Sequence, residues 1–357
     1  MTKTQKNKAN SIATISGVDA LYYQQSVLID DYIIFYNNCT LNKSFSFGNF
    51  ERISQDWNKQ YTYFELFGKE RKQIAKIGFK NLNTRDGLEY VSVQMSSYYM
   101  NLHGIEESYR EVSKSLEDLG LRLLNTKVSR IDLNSYVYGH DFTYLEYYRF
   151  STLIRSNSKF YSGKKDKLTT FYLGKRSNGS SPFMRIYDKW QELFDVDTEG
   201  EKQALIRYKF KKELDIDLNE NIPLWNVEFE LKRELLKANG INTVQQFLQS
   251  ANKLHALMMQ RIRLLNKKRI DGDKNTDRIP TAKVWQIIEK NYNFQDSNVE
   301  LEKIIPIRYS KDIKWLLNRL REYKKEQTDS LSDNAILLAL SQELNTIQEE
   351  KRQTQPK

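Results

Sequence analysis

The chain has 357 residues, one cysteine (Cys39) and three histidines (His103, His140 and His255), with 56 Lys+Arg against 46 Asp+Glu for a net charge of +10. A lone cysteine excludes a disulfide framework and a cysteine-rich zinc site and fits a reducing cytoplasmic setting, and no two histidines are spaced as H-x-H or H-E-x-x-H, which removes most histidine-ligated nucleases. The positive balance favours an acidic partner, usually nucleic acid, over the plainer reading of a merely basic soluble protein.

Residues 1–18 are polar and Lys-rich and read as a disordered tail with no signal-peptide core. Strands are predicted at Tyr61–Phe67, Gln73–Phe79 and Glu89–Ser96, each rich in aromatic or β-branched residues. An amphipathic helix follows: Ile105, Tyr109, Val112, Leu116 and Leu119 recur at helical spacing, and Gly120 is placed to end it. Next come a strand over Lys127–Tyr138 and a helix near Thr143–Ile154, for which His140-Asp141 reads as the entry. Thr169–Lys175 and Phe183–Trp190 flank a stretch dense in turn formers and read as a β-hairpin. A charged helix near Gly200–Lys212 leads to a strand over Leu224–Leu231. The pattern is α+β, built on an antiparallel sheet.

Beyond about residue 243 the character changes. A long helix is predicted over Gln245–Ile270, with an apolar stripe and a basic face that includes Arg261, Lys267 and Lys268. That face reads either as a solvated surface or as a phosphate track. Pro280 opens a helix over Thr281–Asn291, where Lys283 sits in a candidate major-groove segment. Further helices are predicted near Lys311–Glu326 and Ser332–Glu350. No apolar run reaches the roughly 18 residues of a membrane span. The expected organisation is therefore a tail over 1–18, a catalytic domain over 19–243 and a helical region over 244–357 for DNA recognition or interaction.

Three of the strands carry polar residues on alternate positions, which places them on one face. Arg130, Asp132 and Asn134 share a face; so do Arg185, Tyr187 and Lys189, and so do Glu228 and Glu230. If the strands pair, one sheet face gathers a tyrosine, carboxylates and cations. That inventory suits metal-assisted attack of a tyrosine on a phosphodiester. With 22 tyrosines in the chain, most of them packing residues, the case for Tyr187 rests on its neighbours. Arg185 is suited to clamp a phosphate, and Lys189 to stabilise a tyrosinate. Acidic residues on strands are usually solvated, but Glu228 and Glu230 lie between apolar neighbours in a run containing Trp225, as in a central strand. Paired carboxylates there suit Mg2+ or Mn2+ better than Zn2+. Arg130, Lys232 and Arg233 either meet phosphate or pair with the carboxylates.

At four segments the chain resembles the replication initiation factor family, often called Rep-trans. They are Arg130-Ile131-Asp132-Leu133, Thr170–Arg176, Phe183–Lys189 and Leu224–Arg233, in the family's order and spacing. The family includes rolling-circle plasmid replication initiators and relaxases of conjugative transposons. The resemblance implies a fold related to relaxases but without their histidine pair. It implies nicking of one strand at a double-stranded origin, with Tyr187 attacking the phosphate and remaining linked to the 5′ end. It implies a divalent metal, a host helicase as partner and often a homodimer. Asp132, Glu228 and Glu230 are the proposed metal ligands, and Arg176 a further phosphate clamp. Family members often carry a second acid four residues after the first; here that position is Tyr136, so the metal must lean on Glu228 or Glu230. A conjugative relaxase would use the same chemistry. A sequence-specific DNA-binding regulator without catalysis would also fit the charge and the basic helix, but not the tyrosine and carboxylates on facing strand positions.

Overall fold

The computed structural model describes residues 12–40, 46–53, 60–68, 71–81, 90–153, 159–164, 167–177, 179–196, 201–268 and 278–294. The chain divides into two units, Met1–Ile304 and Ile305–Lys357, and every described residue lies in the first. In chain order the elements are β1 (Ala13–Val27), α1 (Ile29–Thr40), β2 (Ser46–Phe47), β3 (Phe50–Arg52), β4 (Tyr61–Phe67), β5 (Gln73–Lys80), β6 (Tyr90–Met95), α2 (Ser97–His103), α3 (Ile105–Glu117) and β7 (Leu123–Tyr138). After these come α4 (Tyr144–Tyr147), β8 (Phe150–Thr152), β9 (Lys159–Lys164), β10 (Lys167–Leu173), β11 (Phe183–Asp188), α5 (Lys189–Val196), α6 (Glu201–Leu214) and β12 (Leu224–Lys232). The described chain ends with α7 (Arg233–Ala238), α8 (Val244–Leu248), α9 (Ala251–Arg261), β13 (Ile262–Leu264) and α10 (Lys283–Asn291).

The fold is α+β. Eleven strands form one sheet in the order β2-β3-β4-β5-β6-β1-β7-β12-β11-β10-β9, and β13 pairs with β8 apart from it. Neighbouring strands are antiparallel throughout, as in the β1–β7, β7–β12 and β11–β12 pairs at the centre. Alternation sorts the side chains. Ile131 and Leu133, Val227 and Phe229, and Met184 and Ile186 enter the main core. That core also takes Val112 and Leu116 of α3, Met258 of α9 and Trp285 of α10, so these helices back the sheet on its apolar face. On the opposite face, Tyr136, Tyr138 and Leu224 pack under Trp190 and Leu193 of α5 and Ile206 and Phe210 of α6. The α5–α6 pair thus covers one end of the polar face.

The helix over Ile105–Glu117 matches its predicted spacing, and Gly120 follows it at φ +80°, a conformation that favours glycine. The hairpin of β10 and β11 is as expected. Several expectations need correction. The tail predicted over 1–18 enters the sheet at Ala13, as part of a central strand. Its residues are covered on both sides, so the alternation that marks half-buried strands is missing. The helix expected near Thr143–Ile154 is a single turn, α4, after which Phe150–Thr152 pairs with β13. The long helix expected over Gln245–Ile270 is broken into α8 and α9 and ends at Arg261 in a strand. Residues on either side of the boundary expected near 243 share one core, with Leu235 and Met258 in the same cluster. The helices predicted near Lys311–Glu326 and Ser332–Glu350 lie outside the described residues.

Candidate active site

Strand register builds the site. Tyr187 on β11 stands opposite Asn226 on β12, and Asn226 opposite Tyr136 on β7. One step along, Arg185 faces Glu228, which faces Asn134. A further step brings Glu230 opposite Asp132. The period of two that separates apolar from polar residues thus aligns the polar ones into rows across three strands.

A fourth strand contributes through an irregularity. The β1–β7 register runs Val18 to Leu133 and then Ala20 to Asp132, which leaves Asp19 as an extra residue in a β-bulge. Its carboxylate accepts from the amide of Asn226 at 3.1 Å, from Ser97 of α2 at 3.2 Å and from the Tyr136 hydroxyl at 3.5 Å. The same Asn226 amide donates to the Tyr187 hydroxyl at 2.8 Å. Asn226 therefore ties the Asp19 carboxylate to the Tyr187 oxygen.

Asp19, Asp132, Tyr136, Arg185, Tyr187 and Glu228 line a cleft of about 550 Å³. Burial holds the Tyr187 hydroxyl well above its ordinary pKa, and the charges of Asp19 and Glu228 add to that effect. Lys189, the first residue of α5, is nearly buried, pairs with Glu192 at 2.5 Å and holds its ammonium 5.5 Å from the centre of the Tyr187 ring. It begins the helix rather than ending the strand, yet still lines the cleft.

Asp132, Glu228 and Glu230 are each only 1% exposed, so none is a solvated outer-face residue. Arginines neutralise them. Arg185 is bonded to Glu228 and lies 3.6 Å from Asp132. Arg130 is bonded to Asp132 and lies 3.1 Å from Glu230. Arg176, on the loop after β10, reaches Glu230 at 3.1 Å, and Lys232 lies 3.6 Å from it. Burial, then the neighbouring Asp19 charge, raises the pKa of Glu228 against the pull of Arg185, and Asp132 adds to the rise.

Of the proposed metal ligands, Asp132 and Glu228 line the cleft, whereas Glu230 does not and instead pairs with Arg130, Arg176 and Lys232. Among the described residues no three histidine, cysteine or acidic side chains form a metal-binding group. Two hard oxygen donors suit Mg2+ or Mn2+, and Arg185 stands between them. The donor set fits a divalent ion to the extent that the guanidinium gives way.

Of the proposed DNA contacts, Arg130 lines the cleft, while Arg176 and Lys232 flank its carboxylate row. Arg261, Lys267, Lys268 and Lys283 lie outside the cleft, on or beside α9, β13 and α10. These elements pack on the apolar face, where Trp285 meets Phe229, so the expected basic track is across the sheet from Tyr187. Sequence reasoning missed Asp19, Asn226 and Lys209. The signal for the first was present: Asp19 is the only charged residue in the fifteen of β1.

Among the described residues, no helix is long and apolar enough to cross a membrane. No protein-family model matches this chain, and no curated protein matches it. Among solved structures, a rolling circle replication initiator protein from Geobacillus stearothermophilus aligns with 77% of this chain and 94% of its own, at 13% identity and a TM-score of 0.42. A likeness at that level assigns neither a family nor an activity.

Proposed function

We propose that this chain is a DNA strand transferase that nicks one strand at a double-stranded origin to start rolling-circle replication, through a 5′-phosphotyrosine intermediate. The observation that carries this reading is the convergence on one cleft of Tyr187, Arg185, Lys189, Asp132 and Glu228, from separate segments whose motifs resemble the initiator family. The Tyr187 oxygen attacks the phosphorus and the bond to the 3′ oxygen breaks. The 5′ phosphate stays on Tyr187, and the 3′ oxygen leaves as a hydroxyl that can prime synthesis. Asp19 accepts from the Asn226 amide and holds it toward Tyr187, the tyrosine proton passes to water, and the Asn226 amide and the Lys189 ammonium stabilise the developing negative charge. Arg185 and Arg130 exchange carboxylate oxygens for phosphate oxygens as the strand enters. A Mg2+ or Mn2+ ion would be held by Asp132 and Glu228 and would supply charge neutralisation at the non-bridging oxygens. Because the phosphotyrosine conserves the phosphodiester bond energy, attack by the 3′ hydroxyl reseals the strand without ATP. Origin recognition, a host helicase and a homodimer belong to the same reading.

The test uses the purified chain, Mg2+ or Mn2+, and supercoiled DNA carrying its own gene and flanks. A covalent DNA adduct mapped to Tyr187, absent from Tyr187→Phe although that variant still binds DNA, is the expected result. DNA that is bound but never nicked, or nicking retained by Tyr187→Phe, would overturn the assignment, the first in favour of a non-catalytic regulator.

A further inference from the structure

Two clefts meet beside the candidate active site. The second, of about 500 Å³, runs along the N-terminal part of β1, past α2, to Phe294. It opens there because β6 pairs with β1 only from Tyr22 onward, so the earlier residues of β1 form an edge on that side. The two clefts share two residues, Asn101 of α2 and Lys209 of α6.

Lys209 differs from the other cations set into the first cleft. Arg185 is matched by Glu228, Arg130 by Asp132 and Lys189 by Glu192. The Lys209 ammonium instead donates to the side-chain oxygen of Asn101 at 2.5 Å, and among the described residues no carboxylate lies within ion-pair distance of it. Asn101 is fixed in turn by donating to the carbonyl oxygen of Ser97 at 2.9 Å. Burial depresses the Lys209 pKa, while the more distant charges of Glu213 and Asp19 work the other way. A partly buried ammonium held by a neutral amide retains most of its capacity for an anion.

We infer that Lys209, positioned by Asn101, binds a backbone phosphate of a single DNA strand at the point where that strand passes from the Tyr187 cleft into the second cleft. The inference rests on the strand-transfer reading and names the path of its substrate. Lysine suits the role as a compact point charge on a flexible stem, able to follow a phosphate that shifts between bound and cleaved states. Nearby, Phe294 gives the second cleft an aromatic ring on which a base can stack.

The experiment measures binding of a fluorescent, mixed-sequence single-stranded oligonucleotide of about 16 nucleotides by anisotropy across a salt series. The protein is the full chain carrying Tyr187→Phe, with and without Lys209→Met or Lys209→Arg. One lost phosphate contact on single-stranded nucleic acid lowers the salt slope by about 0.7. Lys209→Met should show that drop with affinity weakened by about tenfold or more, and Lys209→Arg should restore most of both. A second measurement needs no substitution at Lys209. In that same Tyr187→Phe protein, bound oligonucleotide should slow acylation of Lys209 by an amine-reactive reagent and leave exposed Lys114 unchanged. Unchanged slope and affinity in a folded Lys209→Met variant, or unprotected Lys209, would overturn the inference while leaving the tyrosine chemistry standing. Failure of the Tyr187→Phe protein itself to bind single strands would sink both.

Discussion

Arg185→Met is the most informative single change. In the folded chain the Arg185 side chain is 27% exposed, whereas the Glu228 and Asp132 side chains it bridges are each 2% exposed. Removing the guanidinium leaves two neighbouring buried carboxylates with less compensation. Breaking a buried pair from one side costs about 3–5 kcal/mol; since Arg185 is partly solvated, about 2–4 kcal/mol is expected. Against a total stability of about 5–15 kcal/mol and a urea slope near 3 kcal/mol/M, the midpoint should fall by about 1 M. Fluorescence of the buried Trp225 and Trp285 reports the transition. The double variant Arg185→Met/Glu228→Met should recover much of the loss, because no unpaired charge is then left at that pair. The single variant also frees Asp132 and Glu228 for a divalent ion. Mg2+ at 100 times its dissociation constant should restore about 2.7 kcal/mol, and should stabilise the unsubstituted chain less. A midpoint unchanged in Arg185→Met, or a double variant no better than the single one, would refute the ion-pair argument. Absence of the Mg2+ effect would refute the pairing of Asp132 with Glu228 as a cation site.

Asp19→Asn removes the carboxylate that holds the Asn226 amide toward Tyr187 and a charge that raises the Tyr187 pKa after burial itself. Nicking should slow by about 10²-fold or more, and the tyrosine limb of its pH profile should move toward lower pH; full activity with an unmoved profile would exclude Asp19. His255, stacked on Tyr292 at 3.7 Å, is held down to a pKa of about 3 by burial. Its folded pKa lies below the unfolded value of about 6.5, so its contribution is present above pH 6.5 and is lost as pH falls toward 3, by up to about 5 kcal/mol. His255→Phe should flatten that acid limb in urea titrations, and an unaltered limb would contradict the burial argument. Gly78→Ala should destabilise by about 1–3 kcal/mol, because a methyl group there would meet the Tyr63 ring at 2.6 Å; a neutral outcome in thermal melts would show that the ring moves aside freely.

The polar face was legible because it depends on a short-range rule. Alternation alone put Asp132, Tyr187 and Glu228 on one side, and antiparallel pairing then fixed which residues face one another. Asp19 was not legible in the same way. Its place depends on a one-residue register shift against β7, a partner more than 100 residues away, and alternation within β1 carries no trace of that partner. The stretch after residue 243 failed for another reason. Apolar spacing continues through Leu254, Met258, Ile262 and Leu265, but β8 offers Ile262–Leu264 a strand partner, and pairing ended the helix there. Nothing in the spacing of the charged helix near Gly200–Lys212 sets Lys209 apart, and only the packing of α6 over the sheet gives it a special place.

The hydrogen bond from Asn226 to Asp19 joins residues 207 positions apart. At about 5–20 residues per second of synthesis, about 10–40 s separate the appearance of these two side chains. β1 can pair with β6 and β7 well before β12 is made, but the Asp19 carboxylate waits for Asn226, and non-local pairing of this kind is slow to form. A truncated nascent chain that already contains Tyr187 still lacks Asn226, Glu228 and the strand that carries them.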